Sequence, residues 1–138
     1  MSRSKISVVL FFLLLSAASH RLSASGDVAR QIAGARGKDE ACRLLEETKG
    51  LYFGNNQYNE FIGLLDSLRA NRKDLEPAID YYSAIARYHQ LKYLEESQQW
   101  NEYFNQGDFY RGQLAESLHK AIEGTSYLDE INLYSRLA

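Results

Sequence analysis

Hydrophobic residues recur at helical spacing along most of the chain. In residues 39–53 they follow the i, i+3, i+4 pattern of an amphipathic helix, which Asp39 is placed to cap. Residues 54–56, Gly-Asn-Asn, interrupt the pattern, and a second helix is predicted for residues 58–70. Because so short a connection forces antiparallel packing, residues 39–70 are predicted to form one helical hairpin.

A second, longer hairpin is predicted over residues 75–124. Asp74 is placed to cap its first helix, Pro77 lies in the first turn, and the pattern continues to about Ser97. The apolar positions of this helix spread over two neighbouring faces, which predicts a packing partner on each side. The second helix is predicted from Trp100 to about Glu123, and residues 105–108, Asn-Gln-Gly-Asp, are a point where it can be interrupted.

The two ends of the chain carry further hydrophobic patterns. Residues 1–25 have the form of a secretory signal peptide: Arg3 and Lys5, then the stretch 6–15, which is apolar except for Ser7, then small residues that permit cleavage after Ala18 or near residue 24. The apolar run is shorter than the roughly twenty residues of a membrane span. We therefore expect residues 26–138 to be exported to the periplasm or the extracellular space, with a retained N-terminal anchor as the alternative. A fifth helix is predicted at residues 127–138, with Leu128, Ile131, Tyr134 and Leu137 on its apolar face.

Composition and charge narrow the class of protein. The chain has 138 residues, 45% hydrophobic and 25% charged, as expected for one folded domain. The formal net charge is −2, and all 18 acidic residues lie from Asp27 onward. Removing the three basic residues of the leader leaves 13 basic against 18 acidic residues, a net charge of −5. Such a balance gives no support for nucleic-acid binding, which requires a basic surface.

The sequence contains no recognisable catalytic, cofactor-binding or metal-binding motif. Cys42 is the only cysteine and is predicted to be a small buried hydrophobe in a helix. His89 and His119 fall in different predicted helices, and no zinc-binding or phosphate-binding spacing is present. We therefore expect a protein that is not an enzyme and needs no cofactor.

Two short phrases of the sequence match each other. Residues 57–61, Gln-Tyr-Asn-Glu-Phe, match residues 99–103, Gln-Trp-Asn-Glu-Tyr, and each phrase opens the second helix of a predicted hairpin. Residues 54–65 and, more weakly, residues 100–104 resemble the tetratricopeptide repeat family. Phe61 replaces the Ala common in that family, and the phrases lie further apart than its usual period of about 34 residues. The resemblance implies an all-α fold of stacked antiparallel hairpins, a short α-solenoid.

The resemblance also implies a scaffold that binds a protein or peptide in a groove formed by the first helices of successive hairpins. The residues expected to line it are Tyr81, Ile85, Tyr88 and His89. The alternative for the abundant aromatic residues is that they fill space between hairpins. Two other functions stay open: a structural subunit of a cell-envelope assembly, which self-associates or is covered through residues 127–138, and the N-terminal part of a larger repeat protein or enzyme.

Overall fold

A computed structural model describes residues 26–124, and this part of the chain is helical with no strand. Its elements are α1 (residues 26–33), α2 (Lys38–Gly54), α3 (Tyr58–Arg69), a 3-10 turn (Lys73–Leu75), α4 (Glu76–Glu96) and α5 (Trp100–Gly124). The predicted all-α class is confirmed. The predicted signal peptide and the predicted helix at residues 127–138 lie outside the described residues. None of the described helices combines the length and apolar character needed to cross a membrane.

Helix α4 is the centre of the packing. Of its 21 residues 12 are buried, because α3 packs against one side and α5 against the other. The α3 helix is antiparallel to α4, since Arg69 meets Asp80 at one end and Tyr58 meets Tyr93 at the other. The prediction that this helix has a packing partner on each side is confirmed.

Helix α2 lies along α4 and runs parallel to it. Glu46 accepts a hydrogen bond of 2.9 Å from the Tyr82 hydroxyl, and further along both helices the rings of Phe53 and His89 lie 5.3 Å apart. Phe61 belongs to α3, and its fully buried ring packs against both α2 and α4. Its aromatic neighbours are Tyr52, Phe53 and Tyr82, at centroid distances of 5.7, 5.5 and 6.4 Å.

The α2–α3 and α4–α5 turns have the same backbone geometry. Asn56 and Gln98 both adopt left-handed conformations, with φ of 55° and 57°. The next residue in each turn donates a 2.9 Å hydrogen bond to the carbonyl five positions earlier: Gln57 to Tyr52, and Gln99 to Leu94. The short phrases that match in sequence therefore follow turns that match in structure.

Two of the predicted helix caps are wrong. Helix α2 begins at Lys38, so Asp39 lies inside its first turn, where a carboxylate interacts favourably with the positive end of the helix dipole. Asp74 lies in the 3-10 turn, and its carboxylate accepts hydrogen bonds of 2.9 and 2.7 Å from Arg72. A bidentate, charge-assisted pair is stronger than a hydrogen bond to a backbone N–H. Asp74 therefore binds Arg72 and does not cap α4.

Helix α5 is continuous through residues 105–108, where the sequence allows an interruption. Gly107 is buried within the helix, and a Cβ atom there would lie 3.2 Å from the guanidinium of Arg111. A glycine inside a helix costs about 1 kcal/mol relative to alanine. Packing along α4 outweighs that local preference.

Arg72 also joins α1 to the rest of the fold. Its Nη1 donates to the carbonyl oxygens of Ile32, Ala33 and Ala35, at 3.0, 3.3 and 3.1 Å. These carbonyls lie at the end of α1, where backbone acceptors have no partner within the helix. The same guanidinium therefore caps α1 and holds the 3-10 turn before α4.

Replacing Arg72 by methionine is expected to loosen α1 while leaving α2–α5 folded. The variant keeps an unbranched apolar side chain but leaves three carbonyl groups without their charged donor, and such hydrogen bonds contribute about 1.5–3 kcal/mol. Amide hydrogen exchange should accelerate in residues 28–35 and stay unchanged in the centre of α4. Arg43→Met is the matched control, since Arg43 forms an exposed ion pair with Glu47. Uniformly faster exchange through all the helices would contradict the proposed local role.

Candidate functional site

Four buried polar residues form a single stripe along α4. Asp80, Ser83, Arg87 and Gln90 expose only 7, 7, 6 and 5% of their surface. Their spacings of three, four and three positions place them on one face of the helix. Because charged residues are rarely buried, this stripe is the most unusual feature of the described core.

Asp80, Ser83 and Arg87 of this stripe form the floor of a polar groove between α3 and α5. The α3 wall contains Ile62, Asp66 and Arg69, and the α5 wall contains Gln113, Glu116, Ser117 and Lys120. Each set has helical spacing, so each wall turns one face toward the groove. With Asp80, Ser83 and Arg87 these residues enclose about 110 Å³.

Two ion pairs occupy part of this groove. Arg69 Nη2 lies 2.7 Å from Asp80 Oδ1, joining a wall to the floor. On the α5 wall, Lys120 Nζ lies 2.6 Å from Glu116 Oε1, and this hydrogen bond lowers the pKa of Glu116 and raises the pKa of Lys120. In each pair, the two opposite charges neutralise each other.

Arg87 is buried and has no ion pair with any residue that the structure describes. Its Nη1 donates to two neutral oxygens, Asn59 Oδ1 at 2.7 Å and Gln90 Oε1 at 2.6 Å, and its guanidinium lies 4.8 Å from the centre of the Tyr110 ring. Burial lowers the pKa of Arg87, and Tyr110 and Asp66 act in the opposite direction. The charge is thus held by amides and a ring, none of which neutralises it.

Two polar atoms at the groove have no hydrogen-bond partner within the described part of the chain. They are Nε of Arg87, a donor, and Oε1 of Gln113, an acceptor. Buried polar atoms in folded proteins nearly always have a partner, since leaving one unsatisfied costs about 1–3 kcal/mol. The groove therefore offers hydrogen-bonding capacity that the described residues do not use.

The residues predicted to bind a partner lie on other faces of α4. Tyr81 and Ile85 belong to the core and are 6 and 2% exposed, whereas Tyr88 and His89 are partly buried beside it. The His89 ring lies 5.3 Å from that of Phe53 and 5.4 Å from that of Tyr88, and burial lowers its pKa. None of the four lines the polar groove, and their role in partner binding stays a prediction.

Exposed aromatic side chains form a second surface at the start of α5. Trp100 and Phe104 are 44 and 75% exposed and stack on each other, with ring centroids 6.2 Å apart. Tyr103 packs edge-on against both rings, and Arg111 lies 5.5 Å from the centre of the Tyr103 ring. Aromatic and arginine side chains of this kind are enriched in protein interfaces.

The described residues offer little else for chemistry. They contain no group of three or more His, Cys, Asp or Glu residues able to hold a metal ion. Cys42, predicted to be buried, is partly exposed at the edge of the core.

The polar stripe is visible in the sequence, although the spacing of hydrophobic residues alone does not reveal it. Asp80, Ser83, Arg87 and Gln90 are spaced for one helical face as regularly as the apolar residues of α4. A polar stripe on a helix is normally its face toward solvent. Only the positions of α3 and α5 show that this one is covered.

Comparisons of the chain with protein-family models, with curated proteins and with solved structures find no match.

Proposed function

We propose that the protein is an exported, non-catalytic helical scaffold that binds a protein or peptide partner in the polar groove between α3 and α5. The observation that carries this proposal is a polar groove with a buried floor, in which Arg87 Nε on the floor and Gln113 Oε1 on the α5 wall have no partner among the described residues. Burying polar groups is unfavourable unless they form hydrogen bonds. A partner that supplies those bonds recovers part of this cost on binding.

The proposal includes a repeat architecture similar to that of tetratricopeptide proteins. Its support is the pair of matching turns, with left-handed residues at Asn56 and Gln98 and equivalent hydrogen bonds at the residues that follow them. In this arrangement α2 and α4 are the first helices of two hairpins, and α3 and α5 are the second helices. The polar groove then lies between second helices, whereas the resemblance alone placed binding on the first helices.

Export of the protein rests on the leader-like pattern of residues 1–25, with its positive start, a ten-residue stretch that is apolar except for Ser7, and small residues after it. A structural role in an envelope assembly is the second candidate. The exposed stack of Trp100 and Phe104 favours it, because large exposed aromatic side chains commonly mark contact surfaces.

A displayed library of random peptides tests the groove. Peptides would be selected on the purified protein, expressed from the full chain, and then measured on two variants. Ser117→Trp places a large ring at the half-buried edge of the groove, whereas Phe104→Ala removes an exposed ring from the aromatic surface. We expect the selected peptides to lose about tenfold or more in affinity with Ser117→Trp, roughly 1.4 kcal/mol, and to be unaffected by Phe104→Ala.

Circular dichroism must first show that both variants keep the helical content of the parent protein. If the selected peptides lose affinity with Phe104→Ala but bind Ser117→Trp normally, the binding surface lies at the start of α5 and not in the groove. Failure to enrich any peptide would remove the support for a peptide-binding groove.

A further inference from the structure

The Arg87 guanidinium has one hydrogen-bonding edge in use and one without a partner among the described residues. Nη1 donates both of its hydrogens, to Asn59 and Gln90, whereas Nε and Nη2 make no hydrogen bond to the described residues. Arginine binds carboxylates through two parallel N–H donors on one edge of its planar fork. The edge formed by Nε and Nη2 has that arrangement.

Of the three cations that line the groove, Arg69 and Lys120 are in ion pairs, and Arg87 has none among the described residues. Asp80 is paired with Arg69, and Glu116 with Lys120, so these carboxylates are already neutralised. Arg87 makes no ion pair within the described residues, and the nearby carboxylate of Asp66 influences it without a hydrogen bond. A buried cation is stabilised most by an opposite charge that also forms hydrogen bonds.

The size of the groove limits how much of a partner enters it. Its volume of about 110 Å³ is well below the roughly 300–1,000 Å³ of pockets that enclose whole small molecules. A single carboxylate with a few attached carbon atoms fits such a space, with the rest of the partner lying outside.

We infer that the polar groove binds one carboxylate group of its partner, through the Nε–Nη2 edge of Arg87. This inference rests on the proposed function and names the chemistry recognised at the same groove. The amide of Gln113 assists after turning over, which replaces its unpartnered oxygen by an N–H donor. Ser83 and Ser117 supply hydroxyl donors at the same groove. The carboxylate comes either from an acidic side chain or from a chain terminus.

Nitrogen-15 NMR of the arginine Nε–H groups tests this binding directly. The probe is sodium acetate, titrated at constant ionic strength against sodium chloride. The Arg87 signal, assigned by its loss in Arg87→Lys, is expected to shift saturably, while that of Arg111, paired with Asp108 on the surface, follows the chloride reference. Acetate-induced shifts in backbone amides around the groove should weaken about tenfold or more in Arg87→Lys, since lysine keeps the charge but not the two-donor edge.

Three further variants and two peptides test which groups bind the carboxylate and whether it comes from a side chain or a chain terminus. Arg43→Lys is the matched control, since Arg43 lies outside the groove in an exposed pair with Glu47, and it should bind acetate like the parent. Asp66→Asn should bind acetate more tightly because a nearby negative charge is removed. An acetylated, amidated peptide with one glutamate and an acetylated alanine peptide with a free C-terminus separate the two sources of carboxylate. Gln113→Ala is expected to weaken binding of whichever peptide is preferred.

An Arg87 signal that follows the chloride reference would overturn the inference, as would binding that Arg87→Lys leaves unchanged. The proposed function fails separately. Library peptides that bind the groove without needing any carboxylate would refute the carboxylate site alone. Acetate binding at Arg87 without any groove-binding peptide would refute the partner-binding scaffold and leave the carboxylate site standing.

Discussion

Replacing Phe61 by alanine is expected to lower the free energy of unfolding by about 3–5 kcal/mol. The ring is fully buried between α2, α3 and α4, where it contacts Tyr52, Phe53 and Tyr82. Its loss removes apolar burial, leaves a cavity and breaks three aromatic contacts. Since domains of this size are typically stable by only about 5–15 kcal/mol, one substitution removes much of the total.

Urea denaturation followed by circular dichroism measures this loss. Phe104→Ala is the matched control, because the same residue type is 75% exposed there, and its effect should stay within about 0.5 kcal/mol. Equal losses in the two variants would mean that Phe61 is not the centre of the packing between α2, α3 and α4.

Replacing Asp80 by alanine is expected to cost about 2–3 kcal/mol of stability. Asp80 is buried beneath the groove and its carboxylate accepts a 2.7 Å hydrogen bond from Arg69. Removing one partner of a buried pair strands the other charge, at a typical cost of about 3–5 kcal/mol. The expected loss is smaller because the Arg69 side chain is 33% exposed and can turn toward water.

A double-mutant cycle with Arg69→Met checks this explanation. The double variant should be more stable than the sum of the two single losses predicts, since no charge is then stranded. Glu47→Ala is the control, because it breaks an exposed pair with Arg43 and should cost about 0.5 kcal/mol or less. Strict additivity of the Asp80 and Arg69 losses would show that the ion pair itself does not stabilise the fold.

Hydrophobic spacing predicted the helices from Lys38 to Gly124 closely. The predicted ranges 39–53 and 58–70 differ by only one position at one or both ends from α2 and α3, and the interval between α4 and α5 falls at residues 97–99 as expected. These segments are long and strongly patterned, so the apolar face identifies each of them without knowledge of its neighbours. The errors were local. Helix α2 begins one residue before the predicted cap at Asp39, and Asp74 pairs with Arg72 two positions earlier. Packing along α4 keeps α5 continuous through residues 105–108, where the sequence allows an interruption.

The candidate groove could not be predicted in this way. Its residues come from three helices, and the residues that line it span positions 62–120 of the chain. A polar stripe such as Asp80, Ser83, Arg87 and Gln90 looks the same in sequence whether it faces water or a neighbouring helix. Periodicity within single segments was enough to establish the helical class, the order of the helices and the central position of α4. The covered face of α4, and the burial of Arg87 without an ion pair to any described carboxylate, emerge only from the packed helices, because burial depends on how separate segments come together.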